Sequence, residues 1–111
     1  MSNDNSFAKR AAAALARLEQ SLTAVDDERM EVDGGGDVLS LSFDDGRTYI
    51  INSHSAAQQV WVAAESRAWH LSWVADRSAW IDTREGRELE SLVAELVSRK
   101  LGREVRIATG H

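Results

Sequence analysis

Residues 38–52 read VLSLSFDDGRTYIIN, and this stretch decides the fold class. Leu39, Leu41 and Phe43 alternate with small polar residues, which is the period of a strand with one buried face. The Asp-Asp-Gly triplet that follows tolerates the backbone of a tight turn, and residues 48–52 resume an extended pattern. The stretch therefore predicts an antiparallel hairpin.

Strand periodicity continues on both sides of this hairpin. Met30 and Val32 alternate with acidic residues, so a strand there would bury the apolar pair. The glycines at 34–36 then predict a turn that leads into residue 38. Further strands are predicted after the hairpin, at 58–64, 69–74 and 79–82.

Helical periodicity brackets the strands. Apolar residues recur at three- and four-residue spacing from residue 6 to about 25, and again over 89–101 before Gly102. Two helices at the ends of a strand meander can cover one face of a single sheet. The sequence therefore predicts an α+β fold, a two-layer αβ sandwich with the N- and C-terminal helices packed on one face of an antiparallel sheet of five to six strands. The 111 residues are expected to form one domain, 1–111.

The composition excludes several classes of function. Acidic residues outnumber basic ones 18 to 13, for a formal charge of −5, so no nucleic-acid partner is expected. The chain has no cysteine, which excludes disulfides, a thiolate nucleophile and a cysteine-ligated iron–sulfur cluster. The run of small apolar residues at 11–16 is too short for a membrane span or a signal peptide. A cytoplasmic protein without a membrane partner is expected.

The negative charge is concentrated in the N-terminal part of the chain. Residues 1–45 hold ten acids against four bases, whereas residues 46–111 hold eight against nine. The densest stretch, 26–37, holds six acids and one base. Such a run is most often a solvated face. Carboxylates are also oxygen ligands for divalent cations, and their field attracts basic partners, so both interpretations stay open.

One tryptophan is a candidate for partner binding. In the strand at 58–64, Val60 and Val62 would face the core, which puts Trp61 on the opposite face beside Gln59. An exposed tryptophan next to an amide is typical of an interface anchor. The alternative is partial burial beneath a neighbouring side chain.

The sequence contains no recognisable catalytic motif. His54 lies between two serines, but adjacent residues rarely have the geometry that a base and a nucleophile need. A small hydrolase that uses His54 is thus the less favoured alternative, and a loop histidine is the expected state. His70 alternates with apolar neighbours and would be a solvent-face residue or a weak metal ligand. No enzymatic activity is expected.

The most specific block of the sequence is TYIIN at 48–52, followed six residues later by QVWVA at 59–63. In register with it are WH at 69–70, WI at 80–81 and REG at 84–86. By these residues the chain resembles the frataxin family, in its bacterial CyaY-type branch, over nearly its whole length.

The resemblance implies an iron-binding regulator or iron donor of iron–sulfur cluster assembly. It implies weak binding of Fe²⁺ or Fe³⁺ to the surface carboxylates of an acidic ridge, and contact of the sheet face with a cysteine desulfurase and a scaffold protein. Carried over by position, the metal ligands are Glu19, Asp26, Asp27, Glu28, Glu31 and Asp33. The partner-binding residues carried over are Asn52, Gln59 and Trp61. Thr23 and Ala24 stand where the family often has acids, which thins the ridge.

The resemblance leaves one alternative function within the same fold. The chain would then be a protein-interaction module that modulates the desulfurase electrostatically, without physiological iron binding. A monomer is expected in either case, with an iron-dependent oligomer as the alternative state.

Overall fold

A computed structural model describes residues 3–107 of the chain, with side chains from Ser6 onward. The chain runs through one helix, six strands and a second helix in this order: α1 (Asn3–Thr23), β1 (Met30–Gly35), β2 (Val38–Phe43), β3 (Thr48–His54), β4 (Gln59–Ala64), β5 (Arg67–Val74), β6 (Ala79–Asp82) and α2 (Leu89–Leu101). All six strands form one antiparallel sheet in chain order, so β1 and β6 are its edges. The predicted α+β sandwich is confirmed, with six strands.

The predicted elements and the observed ones differ at their ends. Helix α1 spans Asn3–Thr23 rather than 6–25, and the left-handed backbone of Asp26 (φ 52°) turns the chain toward β1. Strand β4 begins one residue later than predicted because Gln58 is also left-handed, with a φ of 56°. Strand β5 begins at Arg67, before the predicted residue 69, and pairs with the end of β4.

The glycine turn is shorter than predicted. Gly34 and Gly35 lie within β1 and pair with Leu39 and Val38, so the hairpin turns only at 36–37. Gly36 has a φ of 73°, a conformation that costs glycine little. Glycines lower strand propensity, but here the ladder continues through two of them because the register with β2 is already set.

One hydrophobic core lies between the helices and the sheet. Its fully buried members come from both helices and from the alternate residues of the strands, and they include Leu18, Leu22, Leu41, Ile51, Val60, Leu71, Leu92 and Val97. The small side chains of Ala11 and Ala14 let α1 approach the sheet closely. At one end of the core Trp80 packs edge-on against Phe7 and Trp73.

This packing leaves the opposite face of the sheet without a helical layer in the described residues. We call it the open face. Among residues 3–107, no helix is long and apolar enough to cross a membrane.

Candidate functional site

The register of β3, β4 and β5 arranges the polar and aromatic side chains of the open face in two rows. Asn52 on β3, Trp61 on β4 and His70 on β5 lie opposite one another in the first row. The second row contains His54, Gln59 and Ser72. All three residues that the sequence predicts for partner binding therefore lie together on this face.

The Trp61 indole lies between two imidazoles, an arrangement that we call the three-ring stack. The ring centroids of His54 and Trp61 are 4.0 Å apart with 13° between the planes. His70 covers the other side of the indole at 4.3 Å and 22°. Trp61 is on the open face, as predicted, and it is half-buried, as the alternative interpretation held. Its contact with a partner stays a prediction.

Hydrogen bonds hold the indole in its plane. Trp61 Nε1 donates to Gln59 Oε1 at 2.9 Å, and Gln59 Nε2 in turn donates to Ser72 Oγ at 3.2 Å. Asn52, which is half-buried, donates through Nδ2 to the Ser53 carbonyl at 3.3 Å. Stacking on both sides and a bonded N–H leave the indole one orientation, so this part of the face is preorganised.

His54 stacks on the Trp61 indole. It lies at the end of β3 and is half-buried. Its Nδ1 is buried and makes no hydrogen bond within the described residues. The geometry gives no support to the hydrolase alternative. His70 is exposed on the open face, as predicted.

The six acids carried over from the family lie along one edge of the molecule, which we call the acidic edge. Glu19 belongs to α1, and Glu31 and Asp33 belong to the edge strand β1. Residues 26–28 lie in the segment that joins α1 to β1. Glu19 lies against the backbone of β1, since a Cβ added to Gly34 would be 2.2 Å from Glu19 Oε1. Met30 on β1 is buried in the core, so the alternating acids of that strand point to the open face.

Asp27 differs from the other five acids because it is already paired. Arg29 donates to both of its carboxylate oxygens, from Nε at 3.0 Å and from Nη2 at 2.8 Å. The Arg103 guanidinium approaches from the C-terminal part of the chain at 3.4 Å. The hydrogen bonds from Arg29 hold the pKa of Asp27 far below its usual range, and the Arg103 contact adds to this. The sequence alone shows the proximity of Arg29 but not that of Arg103.

The acids of the edge are spread out rather than gathered around one point. Among the side chains of residues 6–107, no three His, Cys, Asp or Glu groups are placed to hold a metal ion together. Apart from Asp27, the acids of the edge are exposed and form no ion pair with another described residue. Such carboxylates attract cations through their common field and through single contacts. The metal ligands predicted from the sequence stay a prediction.

A second cluster of charges ties α2 to two turns of the sheet. The Tyr49 hydroxyl donates to Glu65, and Lys100 on α2 binds both Glu65 and Asp45. Burial raises the pKa of Tyr49, and its hydrogen bond to Glu65 raises it further. That hydrogen bond in turn lowers the pKa of Glu65, and Lys100 lowers that of Asp45. All partners are satisfied, so we assign the cluster a structural role.

Comparison with known proteins identifies related sequences and folds. The family model of the frataxin-like domain matches residues 1–103. The chain is similar to the iron–sulfur cluster assembly protein CyaY of Paraburkholderia phymatum, with 35% identity over 96% of this chain and 98% of that protein. The protein of the same name from Dechloromonas aromatica is 39% identical over 90% of this chain and 93% of its own length.

Two solved structures share the fold. A frataxin from Psychromonas ingrahamii superposes with a TM-score of 0.83, covers 93% of this chain and 95% of its own, and is 23% identical. Yeast frataxin superposes with a TM-score of 0.70 and also 23% identity, covering 88% of this chain and 82% of its own.

Proposed function

This chain belongs to the frataxin-like domain family, and on that premise we propose that it is a non-enzymatic protein of iron–sulfur cluster assembly. Relatives that align with nearly its whole length carry the name of such a protein. With no cysteine in its sequence, the chain has no thiolate with which to hold a cluster. It would act on the assembly reaction without carrying the cluster itself. The proposed protein is a cytoplasmic monomer with a single domain over 1–111.

The observation that carries this proposal is the three-ring stack on the open face. A stacked and hydrogen-bonded tryptophan is already immobilised before any partner arrives, so docking costs little additional side-chain entropy. Tryptophans in such settings are frequent energetic centres of interfaces. The proposed partners are the cysteine desulfurase and its scaffold protein, with Asn52, Gln59 and Trp61 in the contact.

The acidic edge is the proposed binding site for iron as cargo. Its exposed carboxylates are hard oxygen ligands that suit Fe²⁺ and Fe³⁺, and their dispersion predicts several weak, exchangeable positions. Asp27 contributes least to such binding in this proposal, because two guanidinium groups already compensate its charge.

The exposed carboxylates of the acidic edge also support a second candidate function, since their field acts on any positively charged partner. In that candidate the acidic edge only steers a basic surface of the desulfurase toward the open face, and iron is not bound physiologically. Electrostatic steering acts mainly on the association rate and is strongly weakened by salt.

Partner binding is tested with purified cysteine desulfurase and scaffold protein, separately and together, by calorimetry. Trp61→Ala is expected to weaken binding by roughly thirtyfold, which corresponds to about 2 kcal/mol for an interface centre. The control is Ser91→Ala, since Ser91 is exposed on α2, which covers the other face of the sheet. Equal affinities of the two variants would remove the three-ring stack from the interface.

The two candidate roles of the acidic edge separate in a second experiment. Fe²⁺ is titrated anaerobically into the labelled protein while amide resonances are recorded. Saturable shifts in residues 19–33 that weaken in a Glu31→Gln/Asp33→Asn variant would support iron binding. Absent shifts, together with an association rate to the desulfurase that falls steeply with salt, would support the steering role instead.

A further inference from the structure

The chain contains two Asp-Gly dipeptides, one at residues 33–34 and one at residues 45–46. This dipeptide is prone to isomerisation, because glycine has no side chain to hinder the attack of its own backbone nitrogen on the preceding side-chain carboxyl group. The attack needs a carboxyl group that no cation holds in its charged form, a free N–H on the glycine and a backbone that can rotate. The surroundings of the two dipeptides can be compared on these three points, independently of the function proposed above.

The dipeptide at 45–46 is fixed by hydrogen bonds. The Gly46 N–H donates to the Phe43 carbonyl at 3.0 Å, which occupies the nitrogen that would attack. The Asp45 carboxylate accepts from the Arg47 N–H at 3.0 Å and from the Lys100 ammonium. The hydrogen bond from Lys100, together with that from Arg47, lowers the pKa of Asp45. An ionised carboxylate has no hydroxyl group to release as water, so this dipeptide is protected.

The carboxyl group of the dipeptide at 33–34 is free. Asp33 is exposed, and it forms no hydrogen bond or ion pair with another described residue. The side chain that packs against Gly34 is that of Glu19, which is a carboxylate and not a cation. No described cation therefore holds the Asp33 carboxyl group in its charged form by direct contact.

The strand register leaves the Gly34 N–H pointing away from the sheet. In an antiparallel pair, alternate residues turn their N–H and C=O groups toward the partner strand. The Asp44 N–H donates to the Arg29 carbonyl at 2.9 Å, so the odd-numbered residues of β1 are the ones that bond to β2. Gly34 lies between two of them on the free edge of the sheet, and its N–H has no acceptor among the described residues.

The backbone around Gly34 lies close to the end of a hairpin. Beyond Asp33 the hairpin is closed by the pair Gly35–Val38 and by the turn at 36–37. All three residues at 34–36 are glycines, and all three are exposed. Such ends open locally more readily than the centre of a sheet, and glycine adds backbone freedom. When this end opens, the Gly34 nitrogen can reach the carboxyl carbon of Asp33.

From this contrast we propose that Asp33 is a site of isoaspartate formation, and that the product is a substrate for carboxyl methylation by S-adenosylmethionine. The Gly34 nitrogen bonds to the side-chain carboxyl carbon of Asp33, and the N–H proton leaves with the carboxyl hydroxyl as water. Water then adds to the main-chain carbonyl of the resulting succinimide and breaks its bond to the nitrogen. The chain now runs through the side-chain carbon, which adds one atom to the backbone of β1. The released main-chain carboxylate takes the methyl group of S-adenosylmethionine, and S-adenosylhomocysteine leaves.

The test compares both dipeptides within one peptide. The purified protein is kept for several weeks at physiological temperature and neutral pH, and trypsin then releases residues 30–47, which contain both. Electron-transfer fragmentation locates isoaspartate, and an isoaspartyl methyltransferase with radioactive S-adenosylmethionine counts it. Attack at Asp45 breaks the bonds of Gly46, Arg47 and Lys100, one more than the two of the Gly35–Val38 pair. Isoaspartate should thus form roughly fivefold faster at Asp33, the factor for one hydrogen bond of about 1 kcal/mol.

The controls separate the effect of the fold from that of the sequence. The same incubation in guanidinium chloride should bring both dipeptides to similar rates. Lys100→Gln should raise the rate at Asp45 about fivefold, whereas Arg99→Gln removes an exposed cation of the same helix that does not contact Asp45 and should leave the rate unchanged. Asp37, which precedes a valine in the same peptide, gives the background rate.

Four results would overturn the proposal. In the folded protein they are a rate at Asp33 no higher than the background at Asp37, or no higher than the rate at Asp45. The others are equal effects of Lys100→Gln and Arg99→Gln at Asp45, and a difference between the two dipeptides that persists in guanidinium chloride.

Discussion

The three-ring stack should be measurable as a coupling free energy between its members. The perturbation is a pair of double-mutant cycles, one with His54→Ala and Trp61→Ala and one with His70→Ala and Trp61→Ala. Aromatic pairs contribute roughly 0.5–1.5 kcal/mol beyond the area that they bury. The hydrogen bond from Trp61 to Gln59 is lost in every Trp61 variant, so it cancels from each cycle.

We expect about 1 kcal/mol of coupling between His54 and Trp61, because these rings are the closer and more nearly parallel pair. His70 is exposed and more tilted, so its coupling to Trp61 should be smaller. The assay is urea unfolding at constant pH with linear extrapolation to water. A loss of 1 kcal/mol would appear as a fall in Tm of about 4 °C for a domain of this size.

The control cycle pairs Trp61→Ala with Thr48→Ala. Thr48 begins β3 four residues before Asn52, the cross-strand partner of Trp61, and this separation is about 13 Å along the strand. Substitutions so far apart should add to within about 0.5 kcal/mol. Coupling no larger than this in both test cycles would refute the argument that the stack holds the indole in place.

Three further predictions concern stability. Asp27→Asn should make the free energy of unfolding fall less steeply below about pH 4. Folding lowers the pKa of the Asp27 carboxyl, so this group stabilises the folded protein above the usual aspartate pKa, and the stabilisation is lost as the pH falls. Urea midpoints recorded across acid pH measure the effect. Tyr49→Phe should remove a loss of stability that sets in above about pH 10. Burial and the hydrogen bond to Glu65 raise the pKa of Tyr49, so its protonated phenol stabilises the folded protein and this stabilisation is lost when the phenol ionises. Urea midpoints recorded across alkaline pH measure the effect, and an unchanged slope would contradict it. Leu18→Ala, at a fully buried position of α1, should cost about 2–5 kcal/mol through the cavity that it leaves, as measured by calorimetric unfolding.

Much of the fold could be predicted from periodicity. The alternation over 38–43 and 48–52 predicted a hairpin, and the structure contains it with Leu41 opposite Tyr49 in the core. The ends of elements were less predictable. Gly34 and Gly35 favour a turn by their own propensity, but pairing with β2 keeps them in β1. Strand pairing outweighs the turn preference of these glycines because each additional hydrogen bond between β1 and β2 satisfies backbone N–H and C=O groups.

The candidate site was predicted only in part. Alternation along β4 placed Trp61 on the open face, because successive strand residues point to opposite sides whatever the partner. The same rule puts His70 on that face once the register with β5 is known. The contact with His54 is diagonal across two strands, so it depends on register, on twist and on the rotamers together.

By itself the sequence determined the period of each strand, the apolar stripes of the helices and the uneven distribution of charge, since these are properties of neighbouring residues. Only the tertiary structure decided which distant groups meet. It brings Arg103 to Asp27, and it places two imidazoles on either side of one indole. These contacts join residues far apart in the chain, so they follow from strand register and helix docking, which no local pattern specifies.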